Sequence, residues 1–301
     1  MRVTAEVAVP VGDVDLGATL AGLAWLAGDP TLRCVPGRFE RATVTPEGTA
    51  AVEVAWRDGA AEARVRAHGP GADRLLDGAP GLLGLEDDVT GFDPADPPLR
   101  DLWRRHRRER IPRTGTVWHD VAWLVVQQRV TRQDAAAQWR RLVTGLGAPV
   151  PGLPSVTAPP TPDRVARLDP AGLHRWGIER RRGEALIGAA RACLRLHAQD
   201  DADPATVLAV LGGVRGIGPW TTASLATCTW GDADAVPPGD AGLPARVAWT
   251  LAREERADDA RMLELLEPHR PHRQRVVRLA LHAPPPPRRA PRGRRHDIRP
   301  R

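Results

Sequence analysis

The sequence predicts a small α+β unit followed by a mainly α-helical one, on three observations. The N-terminal part alternates apolar and polar residues with period two, in "RVTAEVAV", "RFERATVT", "AAVEVAW" and "EARVRAH". From about residue 98 the apolar spacing changes to three and four, the period of helices that bury one face. Between the two lies "TGFDPADPP", a Pro/Asp-rich stretch suited to a linker. The expected boundaries are 1–95 for an α+β domain with a small antiparallel sheet, 96–282 for a helical domain, and 283–301 for a basic tail.

Each element has its own signal. The four alternating segments are strands separated by Gly, Pro and Asp turns, with helices expected at "LGATLAGLAWLAG" and "ADRLLDGAPGLLGL". Helical spacing then marks "PLRDLWRRHRRER", "TVWHDVAWLVVQQRVTRQDAAAQWRRLVTGLG" and "ERRRGEALIGAARACLRLHA". It continues through "DPATVLAVLG", "PWTTASLATCTWG", "LPARVAWTLAREE" and "DARMLELLEPHRPHRQRVVRLALHA". The final "PPPPRRAPRGRRHDIRPR" offers almost nothing to bury and reads as a disordered basic tail.

Charge separates the two halves further. Residues 1–95 hold 8 Arg against 15 acids, a balance of −7; the remaining 35 Arg and 22 acids give +13, for a net charge of +6. A basic C-terminal two-thirds points to a polyanionic partner. The chain has no Lys, so it forms no Schiff base through lysine. Cys34, Cys193 and Cys228 lie far apart with no CxxC pair, so thiolates alone build neither a zinc knuckle nor an iron–sulfur cluster. No run of eighteen apolar residues suggests a membrane span, and the polar N-terminus does not read as a secretory signal; a cytoplasmic protein is expected.

The chemistry concentrates in "GGVRGIGPWTTA" and "VPPGDAGLP". Gly212 and Gly213 end one helix, Gly216-Ile217-Gly218 turns the chain with Ile217 as an apolar plug, and Pro219 fits the first turn of the next helix. Such a turn is either a plain helical hairpin or a phosphate grip with free N–H groups at a helix N-terminus. Asp240 is likewise either the N-cap of "LPARVAWTL" or a functional carboxylate delivered by a Pro/Gly-rich loop.

Together the two segments resemble the helix-hairpin-helix, Gly/Pro-Asp superfamily of DNA glycosylases, specifically the bacterial 3-methyladenine DNA glycosylase II branch. "GVRGIGPWTTA" and "GDAGLP" match its two signature elements, and "VVQQRVT" is similar to the segment that supplies the family's wedge into DNA. The resemblance is strong over 115–282 and looser before that. It implies an enzyme that flips a damaged base out of duplex DNA and breaks its N-glycosidic bond, with Asp240 stabilising the cationic sugar and orienting water. Bifunctional relatives carry a lysine just after the hairpin; here that position is Trp220, which implies monofunctional hydrolysis.

Trp220 then serves as a pocket wall whose indole face attracts cationic alkylated purines, or it only packs the hairpin. Trp118 and Trp123 line the same cavity or belong to the core. Ser224 stands where the founding branch has an aromatic residue, and Ala241-Gly242 where the loop often carries Tyr-His, implying a wider, less aromatic pocket. By resemblance, Gln128, Arg129 and Val130 form the wedge segment, with Arg129 filling the vacated stack, and Gly216, Ile217 and Gly218 face DNA. The resemblance also implies that the carbonyls of Gly212, Val214 and Gly216 can hold a monovalent cation that bridges to phosphate, with the N–H groups of Gly218 and Trp220 contacting the phosphate directly. Arg180, Arg181 and Arg182 are phosphate contacts or a solvated face; His269 and His272 are surface or DNA-facing residues. No organic cofactor is expected, the partner is double-stranded DNA with a damaged base, and one molecule per lesion suggests a monomer. Two alternatives remain: a non-catalytic hairpin protein that senses damage, and a glycosylase for another lesion.

Overall fold

The computed structural model describes residues 4–197 and 203–287. Five antiparallel strands, β1 (Thr4–Pro10), β2 (Leu32–Val35), β3 (Arg38–Thr45), β4 (Gly48–Ala55) and β5 (Glu62–His68), form one sheet in the order β1-β5-β4-β3-β2. The edge strand β2 was not expected: "LRCV" is short and never fully buried, so it lacks the apolar signal of its neighbours. Phe39, Val52, Val54 and Val65 share a core with the helices α1 (Leu16–Ala21), α2 (Ala72–Asp77) and α3 (Ala79–Leu82). Ala42, Val44 and Ala51, offset by one residue in the pleat, join the core of the helical region instead.

Two N-terminal helices are shorter than the periodicity suggests. The first stops at Ala21, and residues 22–31 form a loop pinned from outside: Arg132 donates to the Trp25 carbonyl (2.6 Å) and Arg140 to those of Ala27 and Gly28. The second splits at Gly78, just before Pro80.

The helical region contains α4 (Pro97–His106), α5 (Val117–Gln127), α6 (Arg132–Leu146), α7 (Pro162–Ala166), α8 (Arg180–His197), α9 (Pro204–Gly212), α10 (Pro219–Trp230), α11 (Leu243–Ala252), α12 (Asp259–Leu266) and α13 (Arg273–His282). A two-stranded ladder, β6 (Ala148–Pro149) with β7 (Thr157–Ala158), follows α6, and a 3₁₀ turn spans Pro170–Trp176. The long pattern from residue 116 to 147 is two helices, because the chain turns at residues 128–131 with Arg129 in a left-handed conformation (φ 55°). Helices α5, α6 and α8 share one core, to which Ile217 and Leu225 contribute; α4, α11, α12 and α13 enclose a second with Phe92. Residues 288–301, most of the expected basic tail, lie outside the described residues. No helix among the described residues is long and apolar enough to cross a membrane.

A buried polar seam joins the sheet to α5. Arg41 of β3 donates to Asp120 (2.8 Å) and to Thr116 (2.9 Å), and Asp120 also accepts from Thr114 and from Thr229 (2.7 Å) of α10. Next to it His119 sits between the hydroxyls of Thr43 (3.1 Å) and Thr31 (3.3 Å) and stacks on Trp139. Trp139 in turn donates to Asp29 (2.8 Å). Burial holds His119 well below its ordinary range, with the Arg41 charge adding to the effect, and pushes the Asp29 and Asp120 carboxyls up against the pull of their donors.

Candidate DNA interface and active site

The hairpin joins α9 to α10 as the sequence suggests, with one difference in where the left-handed residue lies. Gly213 closes α9 in right-handed geometry (φ −74°), and it is Gly216 that turns left-handed (φ 92°). A Cβ on Gly216 would also come within 2.9 Å of Ala185 on α8, so glycine is required there for conformation and for packing. Ile217 is the expected plug and is buried in the main core. Its side chain therefore cannot face DNA; only its backbone can, a correction to its place among the DNA-facing residues.

Gly218 caps α10 without a side chain, and nothing lies within 4 Å of where its Cβ would be. Thr221 and Thr222 donate to the Gly218 carbonyl, while the N–H groups of Gly218 and Trp220 have no acceptor among the described residues. Free donors at a helix N-terminus, open to approach, suit an anion. Val214 O accepts from the Ile217 N–H (2.9 Å) and Gly216 O from Gln128 Nε2 (3.0 Å). Each keeps one lone pair, so the carbonyls offered for a monovalent cation fit that role only with a share of their capacity.

Asp240 reaches this site on a loop anchored at three points. Asp234 pairs with Arg273 (2.7 Å) and Arg270 (2.9 Å), Gln274 N–H donates to Ala233 O (2.8 Å), and Gly239 N–H donates to Asp259 (2.7 Å). Its carboxylate does two jobs at once. Oδ1 accepts from the N–H groups of Gly242 (2.9 Å) and Leu243 (3.1 Å), so it does satisfy the start of α11, from two residues ahead of the cap Gly242. Oδ2 accepts from the indole Nε1 of Trp220 (3.2 Å). The residue at the lysine position and the loop aspartate, 20 residues apart, are thus directly bonded, and both are half-buried. Spacing gave no sign of this contact. Ser224 lies one helical turn beyond Trp220 on α10, half-buried on the same face.

Several sequence-selected residues fall elsewhere. Trp118 is a core residue: it is fully buried and donates to Pro160 O (2.8 Å), with no surface left for a pocket. Trp123 is half-buried and packs on the main core with Trp220. Arg182 is not a phosphate contact. It is buried and donates to Val126 O and to Gln138 Oε1, each at 2.7 Å. Exposed Arg180 pairs with Glu184 (2.9 Å). His272 is buried with its edge on Phe92, and His269 is half-buried, so neither is an open surface residue.

Arg129, Arg181 and Arg215 line one groove with Gln128, Val130, Gly216, the buried Arg182 and the carboxylates of Glu179 and Glu184. All three arginine side chains are exposed, and none makes an ion pair or hydrogen bond among the described residues. Arg215 had no sequence signal beyond lying inside the hairpin. Gln128 was expected to face DNA, but its amide is turned inward, to Gly216 O and to Thr221 Oγ1 (2.9 Å).

The fold also assembles a set that spacing did not announce, His106, Glu109 and His282, with one ligand atom from each within 4.8 Å of the others. The two imidazoles stack nearly parallel at 3.9 Å, so their in-plane lone pairs do not converge on one ion. Arg278 already holds the other Glu109 oxygen (2.8 Å). The cluster as it stands is a clamp between α4 and α13.

The five-stranded N-terminal sheet and the helical region with its glycine hairpin make up one fold. Solved structures share it. A 3-methyladenine DNA glycosylase from Archaeoglobus fulgidus superposes with a TM-score of 0.72 at 18% identity, over 91% of this chain and 97% of that one. An 8-oxoguanine glycosylase/lyase from Clostridium acetobutylicum, in complex with double-stranded DNA, gives 0.63 at 12% identity, over 93% and 94%. In sequence, the chain resembles a probable bifunctional transcriptional activator/DNA repair enzyme AlkA of Mycobacterium tuberculosis, 31% identical over 167 residues. That match takes in 54% of this chain and 34% of the relative, so the chain spans about a third of the length of the curated relatives it matches. No family model matches the chain.

Proposed function

We propose that the protein is a monofunctional DNA glycosylase that removes alkylated purines of the 3-methyladenine type from double-stranded DNA. The observation that carries this reading is the Asp240 carboxylate at the hairpin mouth, held by the Trp220 indole on one oxygen and two backbone N–H groups on the other. The hairpin N–H groups grip a phosphate, and a monovalent cation on the free lone pairs of Gly212, Val214 and Gly216 would strengthen that grip. The flipped nucleotide then lies against Trp220, whose electron-rich face favours a positively charged base over its neutral parent by about 0.5–2 kcal/mol. As the base departs, positive charge develops on the sugar. Asp240 lies where it can stabilise that charge and orient the water that bonds to the anomeric carbon.

The absence of lysine, which removes the lysine Schiff base, supports hydrolysis rather than strand cleavage. Ser224 and Ala241 leave less ring surface around the base than the founding branch has, which favours a broader range of alkylated bases. The test is release of methylated purines from alkylated duplex by wild type and Asp240→Asn, with a parallel panel of oxidised and deaminated lesions and borohydride trapping. Wild type should release methylpurines without a trapped adduct, and the Asn variant should be slower by about 10³-fold or more. Full activity in Asp240→Asn, a covalent adduct, or release of only an oxidised base would overturn the assignment.

A further inference from the structure

We propose that Gln128 is a positioning residue that couples the phosphate grip of the hairpin to the opening of the base stack by Arg129; the proposal rests on the glycosylase reading above. Gln128 closes α5, and the next residue, Arg129, is one of two non-glycine residues with positive φ among those described. A left-handed arginine is strained, and such strain persists only where the surroundings over-determine it. Three elements do so here. From α8, the buried Arg182 guanidinium holds Val126 O at the end of α5. From α6, the Thr131 hydroxyl accepts the Asp134 N–H (3.1 Å) and fixes the far side of the turn. From the hairpin, Gly216 O and Thr221 Oγ1 both accept from the Gln128 amide.

The third link differs from the other two. Gly216 belongs to the same turn as the unpaired N–H groups of Gly218 and Trp220, and Thr221 is buried in the first turn of α10. A phosphate seated on that turn therefore bears on the residue preceding Arg129 through two hydrogen bonds. The Arg129 side chain is exposed, has no partner among the described residues and lines the groove it shares with Arg215 and Arg181. Gln128 acts through these neighbours, without touching the reacting atoms.

The test uses the full chain, an undamaged duplex, and the same duplex with a tetrahydrofuran abasic analogue beside 2-aminopurine, whose fluorescence reports unstacking. Gln128→Ala should bind undamaged duplex within about twofold of wild type, yet lose about tenfold in unstacking amplitude and in single-turnover excision of a methylated purine. Gln128→Glu lacks the N–H for Gly216 O and should lose as much. Arg129→Gly, which removes the wedge itself, should reproduce the fluorescence loss, and Thr221→Val should show a weaker version of it; melting temperature identifies any variant that fails to fold, in which case Thr221→Val carries the test. The proposal is overturned if Gln128→Ala leaves unstacking at the wild-type level, or weakens undamaged binding as much as unstacking. It is also overturned if wild type and Arg129→Gly unstack alike. Unstacking that depends on Gln128 in a wild type that excises nothing supports the coupling and sinks the glycosylase reading instead.

Discussion

The seam between β3 and α5 and the groove between α5 and the hairpin are built from the same residue types put to opposite uses. In the seam, Arg41 and Asp120 are almost fully buried, and every oxygen of Asp120 has a donor. In the groove, the Arg129, Arg181 and Arg215 side chains have no partner among the described residues, and at the hairpin mouth nearby Asp240 is only partly buried. A buried charge without a partner is costly, so a buried pair is retained as architecture. An exposed arginine costs little to leave unpaired, and the three in the groove are available to an anionic ligand. Arg182 shows how little the residue type alone says. It sits next to Arg181 in the sequence, yet it is buried and structural.

The largest effect expected from this contrast is on stability, in the seam. Asp120→Ala leaves the Arg41 guanidinium buried and uncompensated, at a cost of about 3–5 kcal/mol. The double variant Arg41→Met with Asp120→Leu, which removes both charges and refills the space, should recover most of that loss. Urea denaturation of the two variants measures it. If Asp120→Ala melts like wild type, the seam is not the structural joint described here.

The second effect is on binding, in the groove, and should leave stability alone. Arg181→Ala with Arg215→Ala removes two uncommitted cations. The slope of log K against log salt for duplex binding should fall by about 0.9 for each one that meets a phosphate. Its thermal unfolding should match wild type, since neither side chain makes a bond to any described residue. An unchanged salt slope would place the duplex elsewhere on the surface.

What was legible in the sequence divides along the same line. The hairpin, Pro219 at the start of α10 and the loop bearing Asp240 are local: each rests on a few consecutive residues whose chemistry permits few conformations. The seam is not local. Arg41, Thr114 with Asp120, and Thr229 come from three separate stretches, and each looked like an ordinary polar residue. The Trp220–Asp240 bond was half legible, because both residues were singled out but nothing in their spacing joined them. Trp118 was misplaced for a physical reason: helical spacing gives a face, and only packing tells whether that face meets the core or a cavity. The break in the helical pattern at residues 128–131 was hidden because "QQRVT" carries neither Gly nor Pro. The left-handed turn is held from outside the segment, by Arg182 on Val126 O and by Gly216 and Thr221 of the hairpin on the Gln128 amide.

The smallest effect expected is on the pH dependence of stability, and it isolates one residue of the seam. His119 is buried between two threonine hydroxyls beside Arg41, and burial holds its folded-state pKa well below the ordinary imidazole value of about 6.5. Below about pH 6.5 the unfolded chain takes up a proton at residue 119 and the folded protein does not. Stability from this group is therefore fully present above pH 6.5 and falls as the pH drops, by about 1.4 kcal/mol per pH unit once the unfolded imidazole is protonated. Asp29 and Asp120, raised by burial, have the opposite sign, since folding favours their protonated forms. His68, His106 and His269 are lowered too and share the sign of His119. Comparing wild type with His119→Gln cancels these shared terms, because Gln keeps a hydrogen-bonding group between Thr31 and Thr43 but does not titrate. The gap in unfolding free energy between the two proteins should be constant above pH 7 and shift in favour of the Gln variant between pH 6.5 and 5. A gap that stays flat across that range would mean that His119 is protonated in the fold, with the seam open to water.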